Sequence, residues 1–120
     1  MKIAITATEK SLTSPVEARF GRAPYFLIYD LETDLYEFLE NTQSLDAASG
    51  AGLQAAQNVI QSGAKAVITG HCGPKAFKAL TAAEIKIFVG INTTIIQAIE
   101  DFATGRLVHS DKPDVEGHWE

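Results

Sequence analysis

The sequence predicts an α/β domain on a mixed five-stranded sheet flanked by helices, with elements in the order βββαβαβα. Three observations predict it. The first forty residues hold short β-branched and aromatic runs separated by turn residues. From residue 48 the apolar spacing changes to that of a helix. Beyond it, short apolar runs alternate with helical stretches, the pattern of parallel strands joined by crossover helices.

Lys2–Ala7 reads as the first strand, with Ile3 and Ile5 apolar and no Gly or Pro. Residues 8–22 are polar, include Pro15 and Gly21, and read as a long loop. Loops of that length are uncommon in compact domains and are often functional. Tyr25–Tyr29 is aromatic and β-branched, a second strand. Leu31–Asp34 is a turn and Leu35–Leu39 a third strand. So short a connection makes the pair an antiparallel hairpin. From Ala48 to Ser62, Leu53, Ala56, Val59 and Ile60 follow helical spacing, with Gly63 at the C-cap. Ala64–Thr69 is a short buried strand ending at Gly70. Lys75–Thr81 suits a short helix, with Pro74 at its first position. Ile85–Val89 is the last strand. Asn92 or Thr93 then caps a helix to about Ala103, which Gly105 ends. The domain is expected to span 1–107, leaving 108–120 as a polar, flexible tail.

A chain of 120 residues fits one domain and buries a core without disulfides or a structural metal. The formal net charge of -5 and pI near 5.1 argue against nucleic-acid binding, which leans on Lys and Arg. No apolar run approaches the roughly 18 residues of a membrane span. The apolar stretch after Met1 is too short for a signal peptide, so a cytoplasmic monomer is the expectation. Cys72 is the single cysteine. It forms no internal disulfide and no four-cysteine zinc or iron–sulfur site.

In open α/β sheets, ligands sit beyond the carboxyl ends of the parallel strands. Three segments converge there in the expected topology: the loop after the first strand, Gly70 to Lys75, and Gly90 to Thr94. The last two each join a strand to a helix N-terminus, which favours anions. Gly70, Gly73 and Gly90 permit close backbone approach. His71-Cys72 is the sharpest chemical feature, a soft thiolate beside an imidazole. Equally, a lone cysteine after a buried strand reads as a small core residue.

In Phe20-Gly21-Arg22, Arg22 offers a planar fork of donors to an anion. The alternative has Phe20 plugging the core, Gly21 bending the chain and Arg22 pairing with a surface carboxylate. Ser11, Thr13 and Ser14 supply hydroxyls. Lys75, in a first helical turn, opposes the helix dipole and so points to an anionic partner. Asn92, Thr93 and Thr94 read as caps or ligand contacts. His109 and His118 read as solvated tail residues. Gly50-Ala51-Gly52 lacks the Gly-Lys-Ser/Thr of a phosphate loop, and no zincin, nucleophile-elbow or Rossmann signature is present.

Met1-Lys2-Ile3-Ala4-Ile5, Phe20-Gly21-Arg22-Ala23-Pro24-Tyr25-Phe26, the strand from Ala64 to Gly70, the Gly73 turn, Gly90 with its helix, and Thr104-Gly105-Arg106-Leu107 form an ordered set. In order and spacing they resemble the dinitrogenase iron–molybdenum cofactor biosynthesis domain family, to about Leu107. The resemblance implies a ribonuclease-H-like fold. It also implies that the chain carries a preformed anionic metal–sulfur cluster, of molybdenum–copper sulfide or iron–molybdenum type, largely noncovalently and without catalysis. A cluster that brings its own sulfides suits a chain with one cysteine. Carriage further implies a protein partner for delivery or regulation.

The expected cluster-holding residues are Ser11, Thr13, Arg22, Gly73, Lys75, Gly90, Asn92 and Thr93, with His71 and Cys72 as metal ligands. Two other readings are a partner-binding module of a redox or regulatory complex, and a small enzyme with Cys72 as nucleophile.

Overall fold

Residues 3–7 are all buried, so the first strand, β1 (Lys2–Ala7), runs through the middle of the sheet with both faces covered. The computed structural model describes residues 1–41 and 50–113. The remaining strands are β2 (Tyr25–Asp30), β3 (Tyr36–Glu40), β4 (Ala66–Ile68) and β5 (Lys86–Phe88). The helices are α1 (Ala51–Ser62), α2 (Pro74–Ala82) and α3 (Ile95–Ala103). The strands lie in the order β3-β2-β1-β4-β5. β1, β4 and β5 are parallel, and β2 is antiparallel to both β1 and β3. This is the expected mixed sheet, with the hairpin at one edge.

The two-residue period of the strands builds two cores. On one face Ala4, Phe26, Ile28, Val67 and Ile87 meet α1 and α2 through Ala55, Ala56, Val59, Ala76, Phe77 and Leu80. On the other, Ile3, Ile5, Leu27, Ile68 and Phe88 meet α3 through Ile95, Ala98 and Ile99. Two helices cover the first face and one the second. Among the described residues no helix is long and apolar enough to cross a membrane.

Several boundaries differ from expectation. β3 starts one residue late, at Tyr36. The expected start of α1 at Ala48 lies outside the described residues. Within α1 the buried face is Ala51, Gly52, Ala55, Ala56 and Val59, whereas Leu53 and Ile60 are 41% and 38% exposed. The reason is proximity. A Cβ on Gly21 would stand 2.9 Å from the Gly52 backbone, so only small residues fit on that side of the helix. The cap of α3 is Thr94, not Asn92 or Thr93: its hydroxyl accepts from Gln97 N at 3.3 Å. At the expected tail, Ser110 N donates to Ile87 O at 2.7 Å. His109 is exposed, with Nε2 3.6 Å from Asp111 Oδ1; His118 lies outside the described residues.

The long segment after β1 is a loop by sequence but is pinned by backbone hydrogen bonds to strand ends and to the start of α3. Val16 N donates to Thr93 O (2.9 Å), Glu17 N to Thr6 O (2.9 Å), His71 N to Ala18 O (2.6 Å) and Phe20 N to His71 O (3.1 Å). It ends in a single 3-10 turn, Phe20–Arg22. Gly70 makes the crossing possible, because a Cβ there would meet Ala18 Cα and Ala18 O at 2.6 Å. Neither obstacle is a side chain that can swing away. Gly70→Ala is therefore expected to lower stability by about 1–3 kcal/mol, the usual range for overpacking, in urea unfolding. An unchanged midpoint would show that the segment is not held there.

Candidate functional site

The carboxyl ends of β1 and β4 are joined by a buried polar node that sequence reading missed. Thr6 Oγ1 lies 2.8 Å from Glu17 O and 2.9 Å from Thr69 Oγ1. Both threonines are fully buried. Stranding either hydroxyl would cost about 1–3 kcal/mol, so the node fixes where residue 17 crosses the sheet end. A threonine at the end of each of two neighbouring parallel strands was the available signal.

Segment 14–18 divides the expected site residues into two groups. On the α3 side, Ile95 N donates to Ser14 O and Ile96 N to Leu12 O, which ties residues 11–14 to the start of α3. Ser11 Oγ and Thr13 Oγ1 are 2.9 Å apart and bonded to each other. Asn92 is exposed and Thr93 half-buried, its backbone carbonyl held by Val16 N. Gly90 is exposed with φ +78°, a left-handed turn residue that lets Gly90 N reach Gly70 O at 2.7 Å.

On the α1 and α2 side stand Arg22 and Lys75, both exposed, and His71, half-buried. Arg19 pairs with His71 in a short parallel bridge, and Arg22 N donates to Arg19 O at 3.2 Å. The turn from 20 to 22 packs on Gly52 at the first turn of α1, and its Phe20 N is bonded to the residue three before the start of α2. Two helix N-termini thus open on one basic turn. Gly50 and Gly73 occupy their N-caps, so neither cap residue has a side chain to offer. Gly73 itself is buried with an extended backbone. Partial positive charge from the helices adds to the guanidinium and ammonium groups there. Arg19 was not singled out by sequence; its signal was the three-residue spacing to Arg22 across Gly21.

Cys72 is fully buried, in the core with Phe20, Ala76 and Phe77, and its thiol lies 3.8 Å from Gly73 O. That geometry is the one anticipated for a small core residue. Phe20 is 2% exposed with its ring 5.5 Å from Phe26, so it does plug the core. Among the described residues no three His, Cys, Asp or Glu side chains gather as metal ligands. Three surface cavities of about 270–290 Å³ lie elsewhere: at the hairpin turn, between β5 and residues 109–111, and between β2, β3 and α1.

Fold and site together define a small α/β domain with helix N-termini and basic side chains at the carboxyl end of its parallel strands. The sequence profile of the dinitrogenase iron-molybdenum cofactor family matches residues 1–105, and the chain belongs to that family. Among curated proteins none matches it. It is similar to the orange protein (ORP) of Desulfovibrio gigas, solved in its apo form, at 38% identity and TM-score 0.87 over 95% of this chain and 96% of that one. It is similar also to a Thermotoga NifB candidate of the DUF35 family, at 29% identity and TM-score 0.75 over 95% and 98% of the two chains. A dinitrogenase candidate from Methanocaldococcus jannaschii shares the fold at 17% identity and TM-score 0.72, over 94% and 97%.

The buried thiol makes one prediction. Cys72 should react with a chromogenic disulfide reagent on the order of a hundredfold more slowly in the native protein than in urea, because reaction needs local opening. Equal rates would place the thiol at the surface.

Proposed function

We propose that the chain carries a preformed anionic metal–sulfur cluster, noncovalently, where the Phe20–Arg22 turn meets the first turns of α1 and α2. The observation that carries this reading is local. An acidic chain, at net charge -5, groups Arg19, Arg22, Lys75 and the half-buried His71 around two helix N-termini. Family membership and the likeness to the orange protein support it. The cargo belongs to the molybdenum–copper sulfide or iron–molybdenum type; thiomolybdate units are anionic and suit such a cradle.

Arg22 and Lys75 hold the outer sulfide or oxo groups as charge-assisted donors. His71 is the residue suited to touch copper or iron. Cys72, sealed in the core, supports the residues above it and makes no metal bond. Ser11, Thr13, Gly90, Asn92 and Thr93 lie across segment 14–18 and are assigned no contact. A nucleophilic role for Cys72 would need an accessible thiolate, which its burial disfavours.

The test is protein purified anaerobically from its native host, read by visible absorption and by elemental analysis for Mo, Cu and Fe. Charge-transfer bands with stoichiometric Mo and Cu select the first cargo type, and Mo with Fe the second. Arg22→Ala with Lys75→Ala should weaken uptake of tetrathiomolybdate and copper at least about tenfold, as expected for two charged hydrogen bonds. Cys72→Ala should retain the cluster. A protein that stays colourless and metal-free after incubation with tetrathiomolybdate and copper would overturn carriage.

A further inference from the structure

The β2–β3 hairpin offers a second surface, its turn end at the opposite end of the strands from the Phe20–Arg22 turn. β3 is an edge strand, and among the described residues nothing pairs with its outer side. Asp30 N donates to Leu35 O and Asn41 N to Pro24 O, which sets the phase of the antiparallel ladder. Leu35, Glu37 and Leu39 therefore bond inward to β2. The N–H and C=O groups of Tyr36, Phe38 and Glu40 point outward along the edge.

The same three residues share one face, where Tyr36 stacks on Tyr29 at 6.2 Å and meets Phe38 edge-on at 6.1 Å. Leu35 is 71% exposed and Tyr36 48%. An open edge bearing large apolar groups is a template for another strand.

Charge decides what that strand is. Residues 25–40 contain five carboxylates and no Lys or Arg. A cavity of about 270 Å³ at the turn end is lined by the apolar Ile28, Leu35 and Tyr36 and by Asp30, Glu37 and Lys2. The Asp30 carboxyl is held below the usual carboxylate range first by the Glu32 N–H, so it is ionised at neutral pH. Such a cavity fits a long side chain with an apolar stem and a cationic head. Lys2 lines the same cavity and the N-terminal ammonium lies 3.9 Å from Asp30 and 3.4 Å from Glu32, but the five carboxylates of residues 25–40 outnumber these two cations, so the hairpins of two copies edge to edge would repel.

We propose that β3 docks a partner protein by β-strand addition, through an extended segment that interleaves apolar residues with Lys or Arg, one cationic side chain entering the Asp30–Glu37 cavity. This surface is independent of the cluster site and stands or falls apart from it.

The test is titration of the ¹⁵N-labelled chain with a nonapeptide alternating Thr or Val with Lys. The amides of Tyr36, Phe38 and Glu40 should shift and gain protection from hydrogen exchange. Glu37→Lys should weaken binding at least about tenfold, while Glu100→Lys, on the exposed side of α3 and equal in net charge, should leave it within about twofold. A peptide with Pro at its central position should fail to bind, since it cannot continue a ladder. Equal loss in both variants would reduce the effect to net-charge attraction and overturn the proposal. So would shifts confined to other elements, no binding at all, or a sedimentation-detected dimer of the chain that Glu37→Lys dissociates, which would make a second copy the occupant.

Discussion

Everything at the functional end depends on one crossing: the backbone of Ala18 lying against Gly70. Parallel strands leave their carboxyl ends open, with polar backbone that requires partners. Here segment 14–20 supplies them, bonding in turn to β1, to the start of α3 and to His71. The Thr6–Thr69–Glu17 node anchors the middle of that path. At the far end, Phe20 enters the core and Gly21 presses on Gly52. A side chain at residue 70 would push the segment outward, and with it the turn that carries Arg22.

The crossing also explains why α1 is built from small residues on its buried side. A 3-10 turn seated against the helix start demands backbone approach, and Gly52, Ala55 and Ala56 allow it. The apolar bulk that this interface lacks is supplied by Phe20 and Phe26, whose rings fill the space between the turn and the sheet. Close approach in turn brings the dipoles of α1 and α2 onto the same basic turn. Packing and electrostatics are here one arrangement.

The elements and their order were legible because period and turn chemistry agree along this chain. Ile3 and Ile5 alternate, Gly63 ends a helix in the left-handed conformation, and Pro74 opens one. What was not legible came from contacts between distant segments. Leu53 and Ile60 fit the helical spacing as well as Val59 does, and only the approach of Gly21 decides which side is buried. Residues 8–22 carry no alternation, because their bonds go to strand ends and helix starts instead of to a neighbouring strand along their length. The residues expected at the site lie near strand ends and helix starts, but no sequence spacing reveals that segment 14–18 runs between Ser11 and Arg22 and separates them. Cys72 was ambiguous for a related reason: a residue two past a glycine points inward or outward according to how that glycine is packed.

Charge is segregated along this chain to the same effect. Residues 25–50 contain no Lys or Arg, whereas Arg19 and Arg22 directly precede them. An anion approaching a protein of net charge -5 meets repulsion at long range. Asp30, Glu32 and Asp34 sit at the turn end of the hairpin, the opposite end of the strands from Tyr25, and at physiological ionic strength the Debye length is about 8 Å. Within that distance the guanidinium, the ammonium and two helix N-termini decide the sign of the field. The proposed cationic partner and the proposed anionic cargo would thus meet different ends of the strands. A uniformly basic chain would hold the anion as well but would repel that partner and attract nucleic acid. Separating the signs is what would let one small sheet serve both proposed surfaces.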